Sequence, residues 1–403
     1  MKTRIAASAL LAWTAVFVGL TVSSCGGGSR PDAAKYDVAA FVWPAYHNDP
    51  RFAEIGIFPD GVGEWEAVYK ARPKFEGHMQ PRVPLWGYLN EADPHVQERK
   101  IRTALEYGVN TFIFDWYWYD DRPFLEDVLQ KGFLQAANNE KMQFYLMWAN
   151  HVMTSYLDAA NPDKSLVYWP EPVTPEIFDR IADHLIEHYF LRPNYYRIDG
   201  KPVFAIYETA TFIREMGGEE QAVAALDRFR EKCVEAGLPG VHIQPILWFL
   251  LPATGSDIPG DSTVSQQNTV RRFGFESLTN YQWCHLVPAD RDYRSWGEQA
   301  VACYETFDRQ FDVPYFPHVS IGWDPNPRYP EGLQPCVTGS TPALFETFLR
   351  RAKAYVDAHP DQPSLITINA WNEWAEGSYL EPDSLNGYGY LEAIKRVFKE
   401  SER

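Results

Sequence analysis

The chain has 403 residues, of which 45% are hydrophobic and 23% charged, so it is long enough for one large domain and too apolar for a disordered chain. Its 37 basic and 54 acidic residues give a net charge of −17, which would repel nucleic acid from most of the surface. We therefore expect no nucleic-acid partner. Aromatic residues make up 15%, which suits flat platforms for sugar rings as well as an aromatic core.

The amino terminus has the pattern of a bacterial export signal. A basic start precedes the apolar run 5–22, and Cys25 follows small residues and precedes a Gly-rich stretch. This pattern resembles a lipoprotein processing site, so we expect residues 1–24 to be a signal peptide and residues 25–35 a linker with lipid on Cys25. A simple secretory signal or a membrane anchor is the alternative. The prediction is an exported lipoprotein, anchored to the outer membrane or cell surface, with the periplasmic face as the alternative.

Four cysteines remain in the predicted mature chain, at Cys233, Cys284, Cys303 and Cys336. They are too dispersed for the usual zinc-binding spacing, and the sequence has no metal motif and no phosphate-binding glycine loop. We therefore expect neither a metal nor a cofactor. Disulfides are permitted outside the cytoplasm, and the sequence leaves open whether these cysteines pair or remain free thiols.

Apolar segments alternate with amphipathic segments along residues 36–403, the predicted catalytic domain. The predicted strands are residues 38–46, 111–119, 143–151, 202–208, 242–250, 275–283, 316–324 and 365–374. The predicted helices are residues 94–107, 122–138, 175–189, 219–236, 293–311, 341–358 and 385–400. This alternation predicts an α/β fold, a single (β/α)₈ TIM barrel, with a doubly wound open sheet as the rival. The helical pattern is weakest at residues 252–273.

Aromatic, amide and acidic side chains gather at the carboxyl ends of the predicted strands. In a (β/α)₈ barrel the active site lies at this end, so these side chains predict an oligosaccharide cleft. Packing of the rings is the alternative, and Asp115 could equally be a buried structural acid. The candidate substrate-binding residues are Trp43, Tyr46, Asp115, Trp116, Tyr117, Trp118, Asn150, His151, Tyr207, Trp248, Trp323, Asp324, Asn372 and Trp374.

Glu373 and Glu376 are the strongest candidates for catalysis. They lie three residues apart, among tryptophans, at the end of the last predicted strand. In a continuing strand they would face opposite sides, so one pocket can hold both only if the chain turns at Trp374 and Ala375, where Gly377 could end the turn. When two carboxyl groups lie close together, the pKa of one rises, so that an acid lies beside a base. The alternative to this catalytic interpretation is a pair of solvated carboxylates at the start of a loop.

The segment 371–383, Trp-Asn-Glu-Trp-Ala-Glu-Gly-Ser-Tyr-Leu-Glu-Pro-Asp, resembles the signature of the WbsX-like domain family, which is similar to glycoside hydrolase family 99. The resemblance extends over nearly the whole mature chain and includes Gly63-Glu64-Trp65, residues 73–84, Tyr117-Trp118, residues 148–150, Trp323-Asp324 and Pro327-Arg328. Within these segments, Arg82 and Arg328 could bind glycan hydroxyls or acidic sugars, or form salt bridges.

The resemblance implies a (β/α)₈ barrel and a retaining, endo-acting glycosidase for an α-linked, mannoside-like glycan. It implies that Glu373 is the base toward the sugar's 2-hydroxyl, whose attack gives a 1,2-anhydro sugar, and that Glu376 is the general acid/base. The first strand and His151 depart from the family pattern, so the glycan could differ from mannan. Two alternatives are a WbsX-like glycosyltransferase in cell-surface polysaccharide synthesis and a noncatalytic glycan-binding lipoprotein.

Overall fold

Parallel strands form the sheet at the centre of the molecule. The computed structural model describes residues 34–248, 250–256 and 260–400. Its regular parallel strands are β1 (Asp37–Val42), β2 (Thr111–Tyr119), β3 (Gln143–Trp148), β4 (Lys201–Ile206), β5 (His242–Pro245), β6 (His318–Ser320) and β7 (Leu365–Asn369). They pair in the spatial order β6, β7, β1, β2, β3, β4 and β5.

The ring of strands closes through the segment 276–280, which forms single parallel bridges instead of a regular strand. Ile246, directly after β5, bridges to Thr279, and Leu278 bridges to Tyr315 in the segment that leads to β6. Backbone hydrogen bonds flank both bridges. An eighth parallel segment therefore joins the two edges of the sheet. The predicted (β/α)₈ barrel is confirmed, and the open sheet is excluded.

Helices cover the outside of this ring, and the first two along the chain lie in the loop that follows β1 at its carboxyl end. They are α1 (Phe52–Ile55), α2 (Trp65–Lys70), α3 (Pro94–Tyr107), α4 (Pro175–Leu185), α5 (Thr209–Glu215), α6 (Glu219–Glu235), α7 (Gln266–Phe273), α8 (Tyr293–Gln310), α9 (Pro342–Ala358) and α10 (Gly389–Phe398). Since helices pack outside and side chains fill the inside, strands such as β2 are buried over their whole length. The start of α3 is fixed by Asp93, whose carboxylate accepts from the His95 N–H at 2.8 Å.

The predicted helix at residues 122–138 is wrong at its start and only partly correct beyond it. Arg122–Phe124 instead runs antiparallel to β2, and shorter helical turns follow at Val128–Gly132 and Phe133–Gln135. The physical reason is a tight turn before this segment, in which Asp120 and Asp121 take φ of 52° and 63°. Aspartate tolerates this left-handed conformation better than most residues, and the turn folds the chain back along β2 instead of starting a helix.

Short antiparallel pairs extend three of the loops that follow barrel strands. Met153–Thr154 pairs with Val167–Trp169 after β3, and Thr254–Gly255 pairs with Val264–Ser265 after β5. Asn372–Glu373 pairs with Ser378–Tyr379 after β7. All of them lie at the carboxyl end of the barrel, which is the end where such folds place their active sites.

Residues Tyr36–Arg403 form one compact unit. The predicted signal peptide 1–24, Cys25 and most of the predicted linker 25–35 lie outside the described residues. In residues 34–400, apart from the gaps at 249 and 257–259, no helix is both long and apolar enough to cross a bilayer. The cysteines of the described chain, Cys233, Cys284, Cys303 and Cys336, are free thiols.

Candidate active site

A single turn directly after β7 places both glutamates. One turn of 3₁₀-helix, Trp374–Glu376, joins the antiparallel pair formed by Asn372–Glu373 and Ser378–Tyr379. Gly377 ends the turn at φ 64°, and a Cβ there would lie 3.0 Å from the Cβ of Asp324. The predicted turn is confirmed, and it brings Glu373 and Glu376 to the wall of one cavity of about 120 Å³, which we call the central cavity.

Two of the predicted substrate-binding residues hold the base of this turn. The Asn372 side chain accepts from the Trp43 N–H at 2.8 Å and donates to the Trp43 carbonyl at 2.7 Å, so it ties the end of β7 to the end of β1. The Tyr46 hydroxyl accepts from the Ala375 N–H at 3.0 Å. Both side chains are buried, and their contacts fix the backbone that carries the glutamates.

The Trp374 side chain packs against residues that follow the turn. Its ring stacks on Tyr379 with centroids 3.7 Å apart, and its indole N–H donates to Glu381 at 2.8 Å. Glu381 lies 2.6 Å from the buried ammonium of Lys100. Because Trp374 is fully buried, the structure places this predicted substrate-binding residue in the packing beneath the site.

Arg328 bridges the two glutamates. Its guanidinium donates from Nη2 to Glu373 at 2.9 Å and from Nη1 to Glu376. It also donates to both oxygens of Glu64, from Nε at 2.5 Å and from Nη2 at 3.1 Å. The indole of Trp43 donates to Glu64 at 2.5 Å. One buried guanidinium therefore holds three buried carboxylates in fixed positions.

Burial raises the pKa of both glutamates. At Glu373 the negative charge of Glu376 adds to the effect of burial, and this pKa lies well above its usual range. Arg328 opposes the shift at both residues because its positive charge favours the ionised carboxylates. Two acids this close titrate as a pair, and the negative charge of one raises the pKa of the other. The pair can then supply an acid and a base together.

The wall of the central cavity combines aromatic rings with polar groups. Seven of the predicted site residues line it together, namely Glu373, Glu376, Trp43, Asp115, Tyr117, His151 and Tyr207. Burial lowers the pKa of His151, so its imidazole is neutral at pH 7. Rings that expose a face beside hydroxyl and carboxyl groups are the surroundings that a sugar requires.

The Tyr281 hydroxyl lies between two acids of this wall. It is 2.9 Å from one oxygen of Asp115 and 3.3 Å from Glu373. The other oxygen of Asp115 has no hydrogen-bond partner among the described residues. Burial raises the pKa of Asp115 well above its usual range. A buried carboxyl oxygen without a partner costs free energy, which a hydroxyl of a bound ligand would recover.

Three other predicted site residues serve the surrounding structure. Trp116 is buried in the main hydrophobic core. The Asn150 side chain binds the backbone of Glu208, accepting from its N–H at 2.7 Å and donating to its carbonyl at 2.9 Å. Trp248 stacks on His285 with centroids 3.9 Å apart. The structure does not bring these three side chains into the central cavity, although Asn150 lies in the wall of a neighbouring cavity.

The remaining predicted residues line two neighbouring cavities. Trp323 and Asp324 line a cavity of about 370 Å³, which we call the Arg82 cavity because Arg82 is also in its wall. Trp118 lines another of similar volume, about 370 Å³, and His151 lies in the walls of both this cavity and the central cavity. The predicted ring of residues is therefore distributed over three adjoining cavities.

Sequence reasoning did not place four residues of the central site. Glu64 and Arg328 lie in segments that carry the family resemblance, and this resemblance was the sequence feature that could have identified them as site residues. Tyr281 lies at the end of a predicted strand without having been selected. Tyr156, whose hydroxyl is 3.4 Å from Glu376, comes from the loop after β3, and no sequence pattern pointed to it. In the described part of the chain, no group of three or more His, Cys, Asp or Glu side chains is arranged to hold a metal ion.

Comparison with known protein families identifies the family of this chain. A family model described as glycosyltransferase WbsX matches residues 38–394. The chain belongs to this family. A relative from Xanthomonas campestris pv. campestris, named uncharacterized protein WxcX, is 28% identical over 371 residues, which are 91% of this chain and 50% of that protein. The chain spans about half the length of the curated relatives it matches.

Solved structures relate the fold of this WbsX-family chain to glycoside hydrolases. A family 99 endo-alpha-mannosidase from Bacteroides thetaiotaomicron has a TM-score of 0.54 at 13% identity, with 91% of this chain and 97% of that chain covered. A structure described as a glycoside hydrolase-like protein has a TM-score of 0.55 at 16% identity, with 93% and 97% covered. The predicted resemblance to both families is confirmed at the level of family and fold.

Proposed function

We propose that this protein is a glycoside hydrolase that cleaves an α-linked glycan with retention, through Glu373 and Glu376. The observation that carries the proposal is the placement of both carboxyl groups on one turn, in one cavity, bridged by Arg328. A conventional retaining pair holds the anomeric carbon between carboxyl groups on opposite faces. Two glutamates on a single turn suit a nucleophile that the substrate itself supplies.

In the first step, Glu373 takes the proton of the sugar's 2-hydroxyl, and the 2-oxygen attacks the anomeric carbon. The bond from that carbon to the leaving oxygen breaks as Glu376 donates its proton to the leaving oxygen. The products are a 1,2-anhydro sugar, a protonated Glu373 and an ionised Glu376. Arg328 supports this step because its positive charge favours the ionised Glu373, and the negative charge of Glu376, which opposes that ionisation, is absent when Glu376 carries the proton.

In the second step, the ionised Glu376 takes a proton from water, and the water oxygen attacks the anomeric carbon. The bond from this carbon to the 2-oxygen breaks, and Glu373 returns its proton to that oxygen. Both glutamates then have their starting protonation states, and two inversions give net retention. Asp115, with its unpaired oxygen, and the rings of Trp43 and Tyr207 are the groups we assign to holding the sugar.

The test is a panel of α-linked bacterial, fungal and plant glycans in water, with measurement of released reducing ends and of the anomeric configuration of the product. Retention and loss of turnover in Glu376→Gln are expected. Product of inverted configuration would rule out the anhydro-sugar route. Binding of a glycan without turnover in the unmodified protein would favour a noncatalytic glycan-binding protein instead.

The family description supports glycosyl transfer as the second candidate. A transferase needs an activated sugar donor, whereas a hydrolase releases reducing ends from an unactivated glycan in water. Product formation that requires added nucleotide sugar would favour the transferase. We prefer hydrolysis because the carboxyl pair meets the needs of a general acid and base in water.

We also propose that the protein is exported and anchored through lipid on Cys25, at the outer membrane or cell surface. The support is the sequence pattern that precedes Cys25. Metabolic labelling with a fatty acid analogue tests it, and Cys25→Ser should lose the label and release the protein from the membrane fraction. Equal labelling of the two proteins would contradict lipidation at this residue.

A further inference from the structure

The Arg82 cavity lies on the other side of the turn that carries the glutamates. Gly377 follows Glu376 directly and lines this cavity, as do Trp323 and Asp324 from the carboxyl end of β6. The Asp324 N–H donates to the carbonyl of Glu376 at 2.6 Å. The turn that carries the glutamates therefore separates two cavities at the same end of the barrel. A glycan with one sugar at Glu376 has a second cavity beside it.

Arg82 gives this second cavity a positive charge, and no carboxylate of the described residues forms an ion pair with it. Arg82 lines the cavity, and its Nε is buried without a hydrogen bond among the described residues. Burial opposes the charge, but the nearby Tyr379, Asp324 and Asp383 raise the pKa of Arg82, so it remains ionised. An arginine side chain offers several N–H donors in one plane, and a carboxylate matches that geometry.

The two acids nearest to Arg82 are already satisfied by other donors. Asp324 is 2.7 Å from the His78 ring and accepts from the Gln80 amide at 2.7 Å. Asp383 accepts from the Tyr379 hydroxyl at 2.7 Å and from nearby backbone N–H groups. Neither carboxylate forms an ion pair with Arg82 in the described structure. The cation therefore stays available to an anionic group that enters the cavity.

Aromatic faces stand beside this cation. Phe75 is 37% exposed and stacks on the His78 ring with centroids 4.5 Å apart, and Trp323 is partly exposed in the same wall. An aromatic face packs against the apolar face of a sugar ring, while an arginine recognises a carboxylate. Combined in a cavity of about 370 Å³, they have the size and chemistry for one acidic sugar.

We propose that the Arg82 cavity is a binding subsite for a hexuronic acid residue of the glycan, with the sugar carboxylate on Arg82 and the ring against Trp323. This inference rests on the proposed function, because it names the substrate class of the same site. The net charge of −17 repels acidic glycans in general. The positive charge of Arg82 would favour an acidic sugar over a neutral one in this cavity.

Binding of free D-glucuronate and D-glucose, followed by isothermal titration calorimetry, tests the subsite. We use the Glu376→Gln protein, so the measurement requires no turnover and is independent of whether the glycosidase proposal holds. Glucuronate should bind at least tenfold more tightly than glucose. Adding Arg82→Gln should weaken glucuronate about tenfold and leave glucose unchanged, and Arg82→Lys should restore part of the loss because it keeps the charge.

The matched control is Arg294→Gln, which removes the same charge from an exposed position of α8 and should bind glucuronate like the parent. Trp323→Ala provides a second variant if Arg82→Gln does not fold, and it should weaken glucuronate without changing the binding of acetate. Equal binding of glucuronate and glucose, or unchanged binding in Arg82→Gln, would overturn the proposal. Acetate that competes as well as glucuronate would also overturn it, since the cavity would then recognise an anion and no sugar.

Discussion

Two buried clusters of a cation with carboxylates include residues of the segment 372–381. One is built around Lys100 and the other around Arg328. In the first, the Lys100 ammonium pairs with Glu91 and lies 2.6 Å from Glu381. The segment binds both acids, through Asn372 to Glu91 and Trp374 to Glu381, each at 2.8 Å. None of these three charged side chains lines any of the three cavities at the carboxyl end of the barrel.

The second cluster has one cation for three carboxylates instead of two, and it faces a cavity. Arg328 binds Glu64, Glu373 and Glu376, and the latter two line the central cavity. The surplus of negative charge favours uptake of a proton, and access to the cavity lets that proton reach a ligand. Both clusters have more carboxylates than cations, so the cavity beside Arg328 is the feature that separates a candidate catalytic cluster from a supporting one.

The largest expected effect is on turnover in the Arg328 cluster. Glu376→Gln should lower kcat on a cleaved α-linked glycan by a factor on the order of 10³, because it removes the proton donor. The melting temperature should change little, since glutamine has nearly the size of glutamate and is uncharged like the protonated Glu376. Rates and thermal unfolding of the two proteins provide the check. Glu392→Gln on α10, an exposed site, is the matched control, and an unchanged kcat in Glu376→Gln would refute the catalytic role.

The Lys100 cluster should show the opposite response, a loss of stability. Lys100→Met leaves Glu91 and Glu381 buried without their cation, which should cost about 3–5 kcal/mol of unfolding free energy in urea titrations. The folded fraction should keep its kcat within a few-fold. Lys131→Met is the control, because the Lys131 side chain is 67% exposed and its ion pair contributes less than about 1 kcal/mol. Equal losses in the two variants would contradict a supporting role for Lys100.

The sequence predicted those parts of the fold that depend on neighbours along the chain. Asp93 and Pro94 mark the start of α3, and Thr341 and Pro342 mark the start of α9, because capping and proline act within one turn. The turn that unites Glu373 and Glu376 was predictable for the same reason. The start of the predicted helix 122–138 was wrong, since the turn before it pairs Arg122–Phe124 with β2.

The parts of the site that the sequence did not predict depend on contacts between distant segments. Arg328 meets Glu64 and Glu376 across separations of 264 and 48 residues. Arginines and glutamates are common on protein surfaces, so neither residue type indicates burial by itself. The sequence also did not determine which aromatic residues at the strand ends face the cavity. It placed Trp116 and Tyr117 at the carboxyl end of the barrel, but only the structure shows that Tyr117 lines the cavity and Trp116 lies in the core.

Removal of Arg328 should shift the pH dependence of catalysis. Its positive charge lowers the pKa of Glu373 and Glu376, so in Arg328→Gln both pKa values rise and both limbs of the curve of kcat/KM against pH move to higher pH. The expected shift is roughly 1–3 pH units, with a smaller one in Arg328→Lys, which keeps the charge. Profiles of the three proteins on one glycan measure it. A shift to lower pH would show that Arg328 does not stabilise the ionised pair.

The smallest expected effect concerns Asp324, in the wall of the Arg82 cavity. Burial raises its pKa, but hydrogen bonds from His78, Asn326 and Gln80 outweigh burial and lower the pKa from 3.8 to about 2. A carboxyl group with a lowered pKa stabilises the folded state above its unfolded pKa, and this contribution disappears as the pH falls through about 4 toward 2. The contribution is roughly 2 kcal/mol.

Asp324→Asn should therefore be less stable than the unmodified protein at pH 6, and the difference should shrink steadily between pH 4 and pH 3 in urea unfolding experiments. The matched control is Asp312→Asn, since the Asp312 side chain is 63% exposed and should contribute little at either pH. A stability difference that does not change with pH would mean that Asp324 acts through packing instead of charge.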